Sequence, residues 1–365
     1  MEFVIPSSLV LGKTLPILYS TSHMKLYTSS TTAWSATLAA ITRAQKSIYI
    51  EMYIFSEDTT ATHDFITALV DRARTGVQVV MILDAFGSMG LSSKTVSLLK
   101  DAGVEVRFFR HWIHRTHRKT IIVDGTRALV GGVNITAHAK DWNDLQLEVT
   151  GPIVRRLLKV FTRTYKLSGG AQRLLVLPKY LTRRHRVRSW ILEHTPLADQ
   201  LTLRTYYLKK LAEAKHHITF VTPYFIPHRW LLDAMGEAVG RGIGVELLIP
   251  ETTDSRILDK INRHYAGKAH DRGVSVFITP GTNHAKAALI DTREGLVGSA
   301  NIDSLSFERN SELGIFFTEP AAIARLGHVL ENWKTSATPF TPTLHALPWY
   351  YFPLTFLLKV LHPFL

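Results

Sequence analysis

Apolar positions along this chain fall into two successions with the same order. The run from Ser47 through Tyr53 to Phe55 is almost continuously apolar and short enough for a buried strand, and the run from His217 through Pro223 and Tyr224 to Pro227 reads the same way. Helical spacing follows each. In the first half Phe65, Ala68, Leu69, Arg72 and Ala73 lead to Gly76, and in the second Leu231 to Val239 lead to Gly240 and Gly242, glycines suited to ending a helix. A strand comes next in both, Val77 to Leu83 and Val245 to Ile249, and then Gly103-Val104-Glu105-Val106 is echoed by Gly273-Val274-Ser275-Val276. Strand and helix in alternation predict an α/β sandwich. The duplication predicts two such lobes related by a pseudo-two-fold axis. The expected boundaries are 1–31 for an N-terminal segment, 32–165 for the first lobe, 166–200 for a basic connector, 201–340 for the second lobe and 341–365 for an aromatic-rich tail.

Charge narrows the partners. With 43 Lys and Arg against 30 Asp and Glu in 365 residues, the formal charge of +13 points to a polyanion, either an anionic lipid surface or nucleic acid. The absence of cysteine removes disulfides, thiolate nucleophiles and cysteine-ligated zinc. Met1-Glu2-Phe3 opens without a cationic, then apolar, leader, so synthesis and retention in the cytoplasm are expected, with peripheral attachment to the cytoplasmic side of the cell membrane. No apolar run reaches the roughly 20 residues of a membrane-spanning helix. The tail instead mixes Trp349, Tyr350, Tyr351 and Phe352 with aliphatic residues and Pro348, Pro353 and Pro363, a composition suited either to an interfacial anchor or to packing on the protein's own core. Lys179, Arg183, Arg184, Arg186 and Arg188 make the connector a phosphate-attracting patch or a solvated linker.

The repeat also carries chemistry. His117-x-Lys119-x4-Asp124 is matched by His284-x-Lys286-x4-Asp291, Gly131-Gly132-Val133-Asn134 by Gly298-Ser299-Ala300-Asn301, and Asp144 by Glu312. Residues i and i+2 of a strand share a face, so each histidine projects beside its lysine. Two histidines and two ammonium groups brought together suit a phosphodiester. One neutral imidazole attacks phosphorus, and the other, protonated, serves the leaving alkoxide and then accepts the proton of the incoming hydroxyl. Lys119, Lys286, Asn134, Ser299 and Asn301 are candidates to hold the non-bridging oxygens. Asp144 and Glu312 are candidates to orient the histidines, and Asp124 and Asp291, counted with the catalytic set, to organise the strand ends and the lysines. No metal and no cofactor is called for. His111-x-x-His114-x-x-His117 lacks a suitably spaced carboxylate and reads as loop. Gly240-x-Gly242-x-Gly244 precedes a strand, where a dinucleotide loop would follow one.

At these residues the chain resembles the phospholipase D superfamily, and within it the bacterial cardiolipin synthases, from about Thr32 to Trp333. The twin motifs carry the superfamily. Tyr53 to Phe55, Thr222 to Pro227, Trp142-x-Asp144, Asn301-Ile302-Asp303, Ser306 and Asn310-x-Glu312 carry the narrower likeness. The resemblance implies transfer of a phosphatidyl group from phosphatidylglycerol or a related lipid to a glycerol hydroxyl of another, without metal, with His117 as nucleophile and His284 as acid and base. A phospholipase D hydrolase, a nuclease and an inactive lipid-binding scaffold are the alternatives. Asn143 stands where an arginine is common in the family, and Leu305 stands where its Asp-x-Arg-Ser pattern after the second asparagine has arginine. One chain holds both halves, so no obligate protein partner is implied.

Overall fold

The computed structural model describes residues 23–171 and 188–342. Its first lobe runs β1 (Met24–Ser29), α1 (Ser30–Thr42), β2 (Ser47–Met52), α2 (Phe65–Arg74), β3 (Gln78–Asp84), α3 (Ser93–Asp101), β4 (Glu105–Phe109), β5 (Arg115–Thr116), β6 (Lys119–Val123), β7 (Arg127–Gly131), β8 (Asn143–Thr150) and α4 (Pro152–Leu167). The second runs β9 (Ser189–His194), α5 (Thr202–Glu213), β10 (His217–Val221), β11 (Phe225–Ile226), α6 (Arg229–Gly240), β12 (Gly244–Pro250), α7 (Arg256–His270), β13 (Ser275–Thr279), β14 (Ala287–Ile290), β15 (Glu294–Gly298), β16 (Ile302–Asp303), α8 (Ser304–Glu308), β17 (Asn310–Phe317), α9 (Pro320–Thr335) and β18 (Thr338–Pro339).

The two sheets follow one plan. The first is ordered β1-β8-β7-β6-β2-β3-β4, and the second, read from β9, is β9-β17-β15-β14-β10-β12-β13-β18. In each, three parallel strands adjoin an antiparallel meander. Every residue of β2 is buried, as a central strand covered on both faces requires, and this explains its nearly unbroken apolar run. Ser92 and Ser255 cap the equivalent helices α3 and α7 through their side chains.

Two expected boundaries move. The first lobe begins at β1 rather than at residue 32, because Met24 to Tyr27 pair in register with Val149 to Gln146. The second begins at β9, inside the expected connector, because Ser189 to His194 pair with Phe317 to Glu312. β1 and β9 occupy the same place in the two sheets, so the structural duplication is longer than the one visible in the residues. The connector's Lys179 to Arg186, and the tail from residue 343, lie outside the described residues.

The lobes are joined by apolar burial. Tyr49, Val80, Ile122 and Phe161 of the first lobe share one core with Leu248, Val297, Ile315 and Phe317 of the second. Two further cores lie beneath α1 to α3 and beneath α5 to α7. Among the described residues no helix is long and apolar enough to cross a membrane.

Candidate active site

The two motifs meet through a reciprocal exchange of backbone. β5 pairs in parallel with the start of β17, and His117 N–H donates to the Ser311 carbonyl at 3.0 Å. In the other direction Asn143 bridges Asn283 in parallel, and His284 N–H donates to the Asn143 carbonyl at 2.7 Å. The next residue on each receiving strand is the acid. His117 Nδ1 therefore lies 2.9 Å from Glu312 Oε1, and His284 Nδ1 lies 2.7 Å from Asp144 Oδ2. Each histidine is oriented by the carboxylate of the opposite lobe.

An ionised carboxylate only accepts, so the shared proton sits on Nδ1 of each ring and the unprotonated nitrogen is Nε2. Burial holds His117 below its ordinary range, with Glu312 working against that shift and both lysines adding to it. Burial likewise brings His284 down to about 4, with Lys286 and Lys119 adding to the shift and Asp144 opposing it. Burial and the charge of Lys286 push Lys119 well below the ordinary lysine range, and burial brings Lys286 down to about 8. All four side chains thus sit in one electrostatic field. Lys119 Nζ donates to its own histidine's carbonyl at 2.7 Å and rests over the Tyr53 ring at 5.0 Å. Lys286 Nζ donates to the His284 carbonyl at 2.5 Å and lies 2.8 Å from both ring nitrogens.

The acids are supported unequally. Burial tends to raise Glu312, but His117, Lys119 and the Ser299 hydroxyl outweigh it and hold the carboxyl at about 2. Ser306 Oγ also donates to it, at 2.9 Å. Ser299, expected to face substrate, donates its hydroxyl to Glu312 and accepts from Leu313 N–H at 3.0 Å, so its one proton is committed to the acid. The equivalent position in the first lobe has no room for a side chain: a Cβ on Gly132 would lie 2.2 Å from Asp144 Oδ1. Gly132 with Asp144 and Ser299 with Glu312 are therefore two matched solutions to one packing problem. Gly132→Ser should displace Asp144 and loosen its hold on His284, lowering kcat by about 10- to 100-fold and costing about 1–3 kcal/mol of stability through overpacking. A normal kcat would separate the Asp144–His284 contact from turnover.

Asp124 and Asp291 do not join the site, which corrects their grouping with the catalytic residues. They lie beyond the far ends of β6 and β14, roughly 15 Å along the strand from the lysines. Both occupy the left-handed region, at φ 53° and 50°. Asp124 accepts the backbone N–H groups of Gln45, Lys46 and Ser47, and Asp291 those of Lys215, His216 and His217, where the chain enters β2 and β10. Among the described residues neither carboxylate bonds a lysine side chain. Asp124→Ala or Asp291→Ala should cost about 1–3 kcal/mol of stability, read from a denaturation midpoint, while activity per folded molecule stays near normal.

Asn134 and Asn301 sit at equivalent buried positions, and the Oδ1 of each has no hydrogen-bond partner among the described residues. Three aromatic rings also belong to the site, although spacing alone did not single them out. Tyr53 packs edge-on against His117 at 4.7 Å, Trp142 lies tilted against His284 at 5.0 Å, and Tyr224 lies 6.5 Å from His284 with its hydroxyl donated to Asp254. Tyr53 and Tyr224 are not equivalents. The turn contacts align Ser47 with His217, which sets Tyr53 against Pro223. The signal for the tyrosines was their place after β2 and β10, where parallel strands deliver residues to one edge, and for Trp142 its place just before β8 and Asp144. His111 is loop, as expected: its Nδ1 accepts the N–H groups of Ile113 and His114.

Comparison with known proteins gives this arrangement a family. The family described as "Cardiolipin synthase, PLD-like domain" matches residues 37–165 and again 207–333. The chain is 29% identical over 328 residues to cardiolipin synthase A of Pseudomonas entomophila, covering 85% of this chain and 68% of that protein. It is 28% identical over 338 residues to cardiolipin synthase A of Pseudomonas aeruginosa, with coverage of 88% and 69%. Among solved structures, the fold is similar to that of phosphatidylserine synthase from Haemophilus influenzae, with a TM-score of 0.71, 14% identity and coverage of 93% and 92%. It is also similar to polyphosphate kinase from Porphyromonas gingivalis, with a TM-score of 0.63, 13% identity and coverage of 94% of this chain and 53% of that one. These two likenesses establish the two-lobed fold, and the family match over both halves makes this chain a member of the cardiolipin synthase family of phospholipase D-like enzymes.

Proposed function

We propose that this protein transfers a phosphatidyl group from one phospholipid, with phosphatidylglycerol as donor, to a glycerol hydroxyl of another at an anionic membrane surface. The observation that carries the reading is the crossed pairing of His117 with Glu312 and His284 with Asp144, which leaves two unprotonated Nε2 atoms beside two buried lysines. In the first step Nε2 of His117 attacks phosphorus, the bond to the leaving alkoxide breaks, and protonated His284 gives the alkoxide its proton. In the second step the acceptor hydroxyl passes its proton to His284 and attacks phosphorus, and the phosphorus–nitrogen bond breaks. Burial and the two lysines keep both rings neutral before substrate arrives. An arriving phosphodiester anion offsets the field of Lys119 and Lys286, so that His284 takes up the proton the first step needs. The lysines and the amides of Asn134 and Asn301 hold the non-bridging oxygens as charge builds.

Incubation with phosphatidylglycerol vesicles, and separately with single-stranded DNA, both in chelator, tests the reading. Cardiolipin is the expected product. Phosphatidic acid alone would make the enzyme a hydrolase, and cut DNA with untouched lipid would replace the proposal with a nuclease.

A further inference from the structure

The register of the strands places the loops that follow β3, β4 and β12 at the same edge of the molecule as the histidines. In the first sheet Met52 faces both Lys119 and Leu83, and Leu83 faces Phe108, so all lie in one row. In the second, Val221 faces both Ala287 and Leu248, and Leu248 faces Phe277. Beyond these rows the chain presents exposed apolar side chains: Met89 (70% exposed), Trp112 (76%), Ile113 (41%) and Ile257 (44%). Seven large apolar residues are exposed among the described residues, and four of them are here, so the apolar surface is concentrated around the mouth of the site.

These loops are braced to the site. Ser88 Oγ donates to the Tyr53 carbonyl at 2.9 Å and accepts from Phe55 N–H at 3.1 Å, directly behind Met89. The Arg115 guanidinium lies over the Phe86 ring at 5.1 Å and donates to the His111 carbonyl at 2.8 Å, tying the Met89 loop to the Trp112 loop. On the other side Asp254, three residues before Ile257, holds the Tyr224 hydroxyl. Charge is uneven around this rim. The stretch 110–115 carries Arg110 and Arg115 and no acid, whereas 251–257 carries Glu251 and Asp254 against Arg256.

We propose that Met89, Trp112, Ile113 and Ile257 form an apolar rim that enters the interfacial layer of an anionic phospholipid bilayer, first lobe foremost, seating His117 and His284 at headgroup depth. This deepens the phosphatidyl transfer reading and rests on it for the choice of partner. A tryptophan beside aliphatic tips, with arginines behind, matches the headgroup layer, where the indole ring sits at the boundary and the cations meet lipid phosphates. A diester would then reach the histidines without its acyl chains leaving the bilayer.

The absence of cysteine makes a clean test possible. In the full chain, Ile113→Cys and, separately, Thr126→Cys are labelled with an environment-sensitive fluorophore. Thr126 is exposed in the turn between β6 and β7, at the opposite edge. With vesicles of mixed phosphatidylglycerol and phosphatidylcholine, the label at 113 should shift to the blue and the label at 126 should not. No shift at 113, or an equal shift at both, overturns the proposal. A triple variant with serine at 89, 112 and 113 should turn over vesicle phosphatidylglycerol about tenfold more slowly than the unaltered protein. It should process monomeric short-chain phosphatidylglycerol at the same rate. Unaltered turnover on vesicles also overturns the rim. A blue shift at 113 in a protein that turns over neither lipid would leave the docking surface standing and sink the transferase reading.

Discussion

Alanine in place of either His117 or His284 should lower turnover by about 10,000-fold or more, and the double replacement should be little worse than either single one. Residues that act together in both proposed steps, one on phosphorus and the other on the leaving and incoming oxygens, fail as a unit. Both rings are nearly buried, 7% and 5% exposed, so each replacement leaves a cavity and frees a carboxylate from its partner. Asparagine at the same positions, with circular dichroism and a melting curve, separates lost chemistry from lost folding. Either variant working at near-normal rate would break the shared-site proposal.

Glu312→Gln should reduce kcat by about 1,000- to 10,000-fold with little change in KM. The replacement keeps the size of the side chain but offers an amide to His117 Nδ1, favouring the tautomer that carries its proton on Nε2, the nitrogen proposed to attack. Ser299 and Ser306 can rotate to accommodate an amide, so the fold should survive. Asp144→Asn acts in the same way on His284, and a leaving-group series distinguishes the two. A good leaving group such as p-nitrophenol needs no proton, so it should rescue the first step in Asp144→Asn and leave Glu312→Gln impaired. Equal rescue of both would remove the assignment of His117 as nucleophile. Stability carries its own signature. The folded-state pKa of Glu312 lies near 2, below its ordinary 4.5, so its contribution is complete above about pH 4.5 and is lost as pH falls toward 2. Glu312→Gln should flatten the acid limb of the stability curve in that window.

The α/β pattern and the composition of the site were legible wherever a strand is buried on both faces. β2 and β10 announce themselves by apolar runs, and in both halves the asparagine follows the lysine at the same spacing. β1 and β9 escaped because an edge strand is covered on one side only. β1 is largely half-exposed, and the two strands share no residue pattern. That Asp144 and Glu312 would serve histidines followed from their matched place on the strand after each asparagine turn, but the exchange between lobes did not. It arises from parallel pairing of β5 with β17 and of Asn143 with Asn283, contacts spanning well over 100 residues that no local periodicity records. Asp124 and Asp291 were misgrouped because the motif spacing is shared with the lysines, whereas their positive φ angles and backbone bonds belong to the turns into β2 and β10.

The crossed pairs have a consequence for how the protein is born. Synthesis proceeds from the N-terminus, so a nascent chain that has completed the first lobe carries His117 without Glu312, and Asp144 with no ring to hold. The crossed pairs are complete only when β17 has emerged from the ribosome. A chain cut short before β17 therefore lacks the carboxylate that orients His117.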